Sequence, residues 1–322
     1  MTAWPEAPVL VEVVRSGFLE SVHRGAVVVV GPDGEVRWSA GDVARPVLPR
    51  SANKPVQATT YLASGWRPGS GEELAIAAGS HAGEDGHRDL AVGILAAAGL
   101  EPAALGCPPA LPGHEPTRAA WLVAGRAPER AAFNCSGKHA AMLATCVAAG
   151  WPTDGYLDPQ HPLQQAIEAR LSAAAGEPVA AVVVDGCGAP QHGLSLTGLA
   201  RGVGSLVAAA DGTPERAVAD AMRAHPWCVA GTGREDTDLM TAVPGLLVKG
   251  GADGVHVAAV PGLGAVALKL DDGGDRGRMP VLAAALGRLG VDAGSLDRWA
   301  VAPVTGGDGV VGEVRPAAVL AG

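Results

Sequence analysis

The chain opens on three short apolar stretches. VLVEVVRSG (9–17), GAVVVVGPDG (25–34) and EVRWSA (35–40) are rich in β-branched residues and bounded by turn residues, which predicts strands. GPDG at 31–34 predicts a hairpin turn. Strand character returns late, in GLLVKGG (245–251), GVHVAAVP (254–261) and GAVALKLDDG (264–273), three alternating runs joined by Gly-rich turns. Between these ends, apolar positions recur at helical spacing. Helices are predicted over 54–65, 72–78, 86–98, 138–149, 161–175 and 214–223, with a last one near 276–289. AAVVVDG (180–186) reads as a buried strand or an extended core segment.

Strands at both ends with helices between imply an α+β fold, in which N- and C-terminal strands build one antiparallel sheet. The expected organisation is a single domain over 1–322, its helical middle (about 54–240) packed on a sheet from 9–40 and 245–273. No strand–GxGxxG–helix unit is present, which argues against a dinucleotide fold.

Composition sharpens this picture. The chain has 322 residues, 48% hydrophobic but only 3% aromatic, so its core must be built from Ala, Val and Leu. A net charge of −9 without a Lys/Arg cluster argues against a nucleic-acid partner. MTAWPEAPVL lacks the basic and apolar regions of a signal peptide. No apolar run is long enough to span a bilayer, so a cytoplasmic protein without a membrane partner is expected. Five cysteines, odd in number and widely spaced, are expected to be thiols.

The candidate chemistry starts at RSANKP (50–55), where Ser51 and Lys54 stand three residues apart. At a helix start, such a pair shares one face. A lysine can activate a serine only when burial or another cation depresses its pKa so that the neutral amine is present, so the pair points to amide or ester cleavage. A capping serine with a solvated lysine is the structural alternative. SHAGEDGH (80–87) offers Ser80 as a second hydroxyl, or simply a helix start with acids in its first turn. NCSGKH (134–139) packs amide, thiol, hydroxyl, amine and imidazole groups into six residues ahead of a helix. VDGCGAP (184–190) places Asp185 and Cys187 in a tight turn; Cys135 and Cys187 could hold a soft metal or be two buried thiols. VAGTGREDTDLM (229–240) reads as a carboxylate- or amine-binding loop, or as a loop with a capped helix. Lys249 ends a strand before two glycines and resembles the lysine–glycine strand of penicillin-recognising serine enzymes.

Taken in order, RSANKPVQA, SHAGEDGH, NCSGKHAAML, DGCGAP, HPWCVAGTGREDTDLM, VKGGADG and ALKLDDG resemble the asparaginase II family, the rhizobial-type, thermolabile L-asparaginases, from about residue 9 to 273. The resemblance implies a fold similar to serine β-lactamases and glutaminases, and hydrolysis of L-asparagine to L-aspartate and ammonia. It implies two Ser–Lys tandems, Ser51 with Lys54 and Ser80 with Lys249, and leaves open which serine is acylated. It further implies a zinc site of Cys135, Lys138 and Cys187, substrate contacts from Arg50 and Asp185, with His139 beside the metal lysine grouped with them, and a homodimer. The flanking residues of TGREDTDLM and DGCG depart from the family pattern, which bears on selectivity between asparagine and glutamine. A β-lactamase-like serine acylase or peptidase and a non-catalytic zinc-binding protein are the competing readings.

Overall fold

The computed structural model describes residues 6–320. Its strands are β1 (Val9–Arg15), β2 (Phe18–Val30), β3 (Val36–Ala40), β4 (Pro46–Val47), β5 (Ala181–Val184), β6 (Pro190–Ser195), β7 (Leu247–Gly250), β8 (Val255–Val260), β9 (Gly264–Leu270), β10 (Ala302–Gly306) and β11 (Gly309–Pro316). Eight of them form one antiparallel sheet, in the order β10-β11-β1-β2-β9-β8-β7 with β3 also on β2. The sheet is therefore built from both ends of the chain, as the strand pattern predicts. It is wider than expected, because β10 and β11 join beside β1, with Val11 opposite Pro316. GPDG closes the β2–β3 hairpin with Gly34 N donating to Gly31 O at 2.9 Å.

The helices are α1 (Lys54–Ala63), α2 (Gly71–Ala77), α3 (Asp85–Ala97), α4 (Glu115–Val123), α5 (Ser136–Ala149), α6 (Pro162–Ala175), α7 (Leu196–Ala208), α8 (Pro214–Ala224), α9 (Pro226–Val229), α10 (Glu235–Ala242), α11 (Arg278–Leu289) and α12 (Asp297–Ala300). α7 and α11 both pack on β2, β8 and β9. The unbroken burial of Gly25–Val30 and of Ala265–Leu268 shows that both faces of the sheet are covered there. Uninterrupted apolar runs, rather than alternation, are what such strands need.

α7 escapes the periodicity analysis. Its sequence LTGLARGVGSLVA holds three glycines, each costing roughly 1 kcal/mol of helix propensity against Ala. Those glycines allow close packing: a Cβ at Gly204 would sit 3.2 Å from the Ala265 Cβ, and one at Gly202 3.5 Å from Val56 Cγ2. The 180–186 run also differs from expectation. β5 lies in a separate small sheet, β4-β6-β5, and its four residues are exposed, Val184 at 81%. Among the described residues no helix is long and apolar enough to cross a membrane. Residues 1–5 of the N-terminal segment read for a signal peptide lie outside the described residues.

The fold positions chemistry mainly through one close approach. Gly251, just past β7, lies against the turn that carries Ser51: a Cβ there would stand 2.5 Å from Pro49 O and 3.3 Å from Ala52 N. Gly251→Ala should therefore lower stability by about 1–3 kcal/mol and shift the Ser51 turn. The expected readout is a melting temperature lower by a few degrees together with a fall in kcat. An unchanged melting temperature would mean that the turn yields freely.

Candidate active site

Ser51 sits in a 3-10 turn, Arg50–Asn53, that runs directly into α1, whose first residue is Lys54 and second Pro55. Arg50 enters the turn at φ 53°, the left-handed region that a non-glycine residue occupies only under constraint. The constraint is visible: Arg50 Nε donates to Asp185 Oδ1 at 2.6 Å, and its Nη1 is paired with Asp253. Arg50 thus ties the Ser51 turn to the turn after β5 and to the β7–β8 connection.

Lys54 is buried, and it does not turn toward Ser51 as the three-residue spacing suggests. Its Nζ donates to Gly79 O at 2.5 Å, Ser80 Oγ at 2.8 Å and Cys135 Sγ at 3.1 Å. An ammonium has three N–H bonds, and these three partners take all of them. Ser80 is held from both sides: its own N–H donates to Val229 O at 2.7 Å, and the His81 N–H donates to Asn134 O at 3.1 Å. Ser80 is not the cap of α3. Glu84 and His87 form that capping box, the helix-start reading of SHAGEDGH placed four residues later. Glu84 also accepts from Thr232 N and Thr232 Oγ1, both at 2.8 Å, fixing the 231–232 loop.

Lys249 on β7 does not contact Ser80 in this arrangement. It donates to Gly250 O at 2.7 Å and lies 3.5 Å from Asp236 Oδ2 on α10. Burial, opposed by Asp236 and reinforced by the charge of Lys54, lowers the Lys249 ammonium to a pKa of about 8. Burial works against the Asp236 carboxylate, but Lys249, His256 (Nε2 to Oδ1, 2.8 Å) and the Gly250 N–H (2.8 Å) hold it well below the usual carboxylate range. His256 is the residue that sequence reasoning missed, whereas Asp236 was singled out only as part of a ligand-binding loop and not as a partner of Lys249. Asp236 stood inside the flagged 229–240 run, but nothing in the chain pairs it with a lysine 13 positions later. His256, in the middle of an apolar strand, carries no local signal.

The cysteines are all free and buried. Cys107, Cys146 and Cys228 are packing residues whose thiols burial pushes up to about 11. Cys135 and Cys187 form a pair. The hydrogen bond from Cys187, with Lys54 and Lys138 nearby, draws the Cys135 thiol well below its ordinary value; the same bond and burial push Cys187 up. Lys138 Nζ donates to Cys187 Sγ at 3.1 Å, and Cys187 Sγ lies 3.2 Å from Asp185 Oδ2. Burial opposes the Lys138 charge, but the two sulfurs raise its pKa. Among the described residues no group of three or more His, Cys, Asp or Glu side chains is placed to hold a metal. Cys135, Lys138 and Cys187 nevertheless converge, as two soft sulfurs and an amine.

Ser51, Ser80, His81, Asn134, Asp236 and Lys249 line one cavity of about 740 Å³. His139 does not reach it. It is fully buried, with Nδ1 accepting from Tyr156 Oη at 2.7 Å. His81 accepts from Gly83 N at Nδ1, so its Nε2–H donates to Ser136 Oγ at 2.9 Å. Burial first, and neighbouring charge second, keeps His81 and His139 neutral, their pKa values well below the ordinary imidazole value; His192 is pushed down to about 4 for the same reasons.

A cavity lined by two half-buried serines and the buried Lys249 places the chain among α+β proteins with a concave polar pocket. Within that class it belongs to the L-asparaginase II family, which matches residues 11–316. Among solved structures the chain is similar to Mglu in its native form, at 13% identity and TM-score 0.45, covering 82% of this chain and 63% of that one. It is similar to Mglu in its glutamate form at 15% and 0.46, covering 83% and 61%. A candidate beta-lactamase from Bacteroides dorei DSM 17855 aligns at 15% and 0.47, over 82% and 92%. The chain thus spans a little under two thirds of the Mglu chains it matches first. No curated protein matches it.

The neutral buried histidines set a stability prediction. Their folded pKa values lie below the unfolded value of about 6.5, so the unfolded chain binds more protons as pH falls below that point. Their contribution is whole above about pH 6.5 and lost progressively below it. Melting temperature should decline steadily between pH 7 and pH 5; a flat profile would contradict neutral His81, His139 and His192.

Proposed function

We propose that this protein is an L-asparagine amidohydrolase working through an acyl-enzyme on Ser51. The observation that carries the reading is the 2.8 Å contact of Lys54 Nζ with Ser80 Oγ, at the floor of the cavity that Ser51 and Lys249 also line. Family membership supports asparaginase-type chemistry. The proton path differs from the tandems expected from spacing. Lys54 has every N–H engaged and acts as a donor through Ser80, whereas Lys249, at about 8, is the amine that can give up its proton near neutral pH.

Ser51 Oγ attacks the side-chain amide carbon and its proton passes to Lys249. The Lys54–Ser80 pair supplies a proton to the amide nitrogen as the C–N bond breaks, and ammonia leaves. Lys249 then returns its proton to the Lys54–Ser80 pair; neutral again, it takes a proton from the water that attacks the aspartyl ester and gives it to Ser51 Oγ as aspartate is released. Asp185, steered by Arg50, receives the α-ammonium of the substrate. A homodimer stays part of this reading on the family resemblance.

The donor set fits zinc in kind: the Cys135 thiol is drawn below its ordinary value, Cys187 is in contact with Lys138, and all three side chains are buried, while the Lys138 amine, its pKa raised without metal, would have to lose its proton on binding. Bound there, the metal would supply a fixed positive charge that holds both sulfurs as thiolates. Cys135 then keeps accepting from Lys54, which ties the sulfur pair to the proton-donating arm.

Three measurements test this reading. Ser51→Ala should lower ammonia release from asparagine by about 10³-fold or more and abolish an aspartyl adduct in the intact mass, while Ser80→Ala should slow turnover yet still acylate. An adduct on Ser51→Ala protein would overturn the assignment. The base must be neutral, so kcat/KM should rise with pH through about 8; Asp236→Asn removes the charge that raises Lys249 and should move that inflection to lower pH. Metal analysis of the purified protein should find zinc, and Cys187→Ser should lose it; wild type without zinc, after purification free of chelators, would remove the metal from the reading.

A further inference from the structure

We propose that this cavity takes asparagine whose side-chain amide nitrogen carries a second amino acid, so that β-aspartyl peptides with an apolar residue and a free carboxylate are also substrates. The inference rests on the amidohydrolase reading above.

The first observation is size. At about 740 Å³ the cavity falls in the range of about 300–1,000 Å³ that encloses drug-sized ligands. Asparagine, with its two-carbon side chain, leaves most of that space empty. The second observation is how the cavity is divided. One end is closed by the Ser51 turn, where Gly251 packs on Pro49 and Asp253 pairs with Arg50. Asp253 lines the cavity and through Arg50 connects this end to Asp185, the residue that the amidohydrolase reading assigns to the substrate α-ammonium. The other end is built on Ala82, whose carbonyl accepts from His114 N at 2.8 Å and whose Cβ would stand 2.7 Å from one at Gly231. Leu111 and Phe133, half-buried, add an apolar wall to the cavity.

The third observation is charge. Three Lys or Arg side chains line the cavity. Lys249 faces Asp236, and Arg278 donates to Gly251 O at 3.1 Å and pairs with Glu235 at 3.4 Å. Arg234, three residues beyond Gly231 and exposed at the mouth, has no side-chain partner among the described residues. An unpaired guanidinium beside an apolar wall suits the carboxylate of an amino acid whose side chain rests on that wall.

The chemistry needs no new group. Water is consumed, the β-amide C–N bond breaks, and the second amino acid leaves with its nitrogen protonated by the Lys54–Ser80 pair in place of ammonia. Aspartate follows from the ester on Ser51.

The test compares three compounds with the purified full chain: asparagine, β-aspartyl-leucine and β-aspartyl-leucinamide, which lacks the terminal carboxylate. Aspartate release should occur from asparagine and β-aspartyl-leucine, with kcat/KM for the leucinamide about tenfold lower than for the free acid. Arg234→Ala should lower kcat/KM for β-aspartyl-leucine about tenfold more than for asparagine, and remove the preference for the free acid. Turnover of asparagine without either dipeptide overturns this inference and leaves the amidohydrolase reading standing. Turnover of none overturns both. An equal loss on all three compounds in Arg234→Ala would make this arginine an anchor for a group they share, and would also overturn it.

Discussion

A charge taken out of water must be answered where it sits, and the site is organised around that requirement at Lys54. Its ammonium is met by a carbonyl, a hydroxyl and a sulfur from two other parts of the chain, Gly79–Ser80 and Cys135. Removing one partner from such a buried arrangement costs several kcal/mol, because the remaining charge is left unanswered. The same reasoning extends to a second buried pair, Lys138 against Cys187, and to a third, Lys249 against Asp236. Three buried lysines are thus each held by a different set of acceptors, and of these the surroundings raise the proton affinity of Lys138 and lower that of Lys249.

The scaffold supplies the rigidity these pairs need. α1 carries Lys54 and α5 carries Lys138, both helices well inside the helical layer. β7 presents Lys249 from the edge of a sheet whose middle is covered on both faces. Close approaches without side chains let the layers meet: Gly204 of α7 on β9, and Gly251 on the Ser51 turn. The elements least supported by propensity are thus the ones whose packing draws the site together.

Much of this was legible in the chain. The strands at both ends, the hairpin at 31–34 and most helices follow from apolar spacing, because burial on one side or both imposes those periods. Ser51, Lys54, Ser80, Cys135, Lys138, Asp185, Cys187 and Lys249 all lie in segments that read as candidate chemistry, although only NCSGKH has a polar density that a structural role does not easily explain. Among the elements that periodicity did not supply are α4, α7, whose glycines hide a helix that tertiary packing stabilises, and β10–β11, which add to the sheet beyond the C-terminal strands that were expected. The exposed β5 shows the reverse failure, since an apolar run carries no record of whether anything covers it.

The sequence by itself determined which functional groups are present, the α+β plan and the family, since these reside in local patterns and in the order of motifs. Only the tertiary structure decided who pairs with whom. Spacing of three on a helix start favours Lys54 beside Ser51, yet a long, flexible lysine goes to whatever neighbouring segments offer the most acceptors, and Gly79, Ser80 and Cys135 offer three. In the same way Asp236 and His256 became part of the site only when α10 and β8 were brought against β7. Contacts between distant segments depend on how the layers close, and no local pattern encodes that.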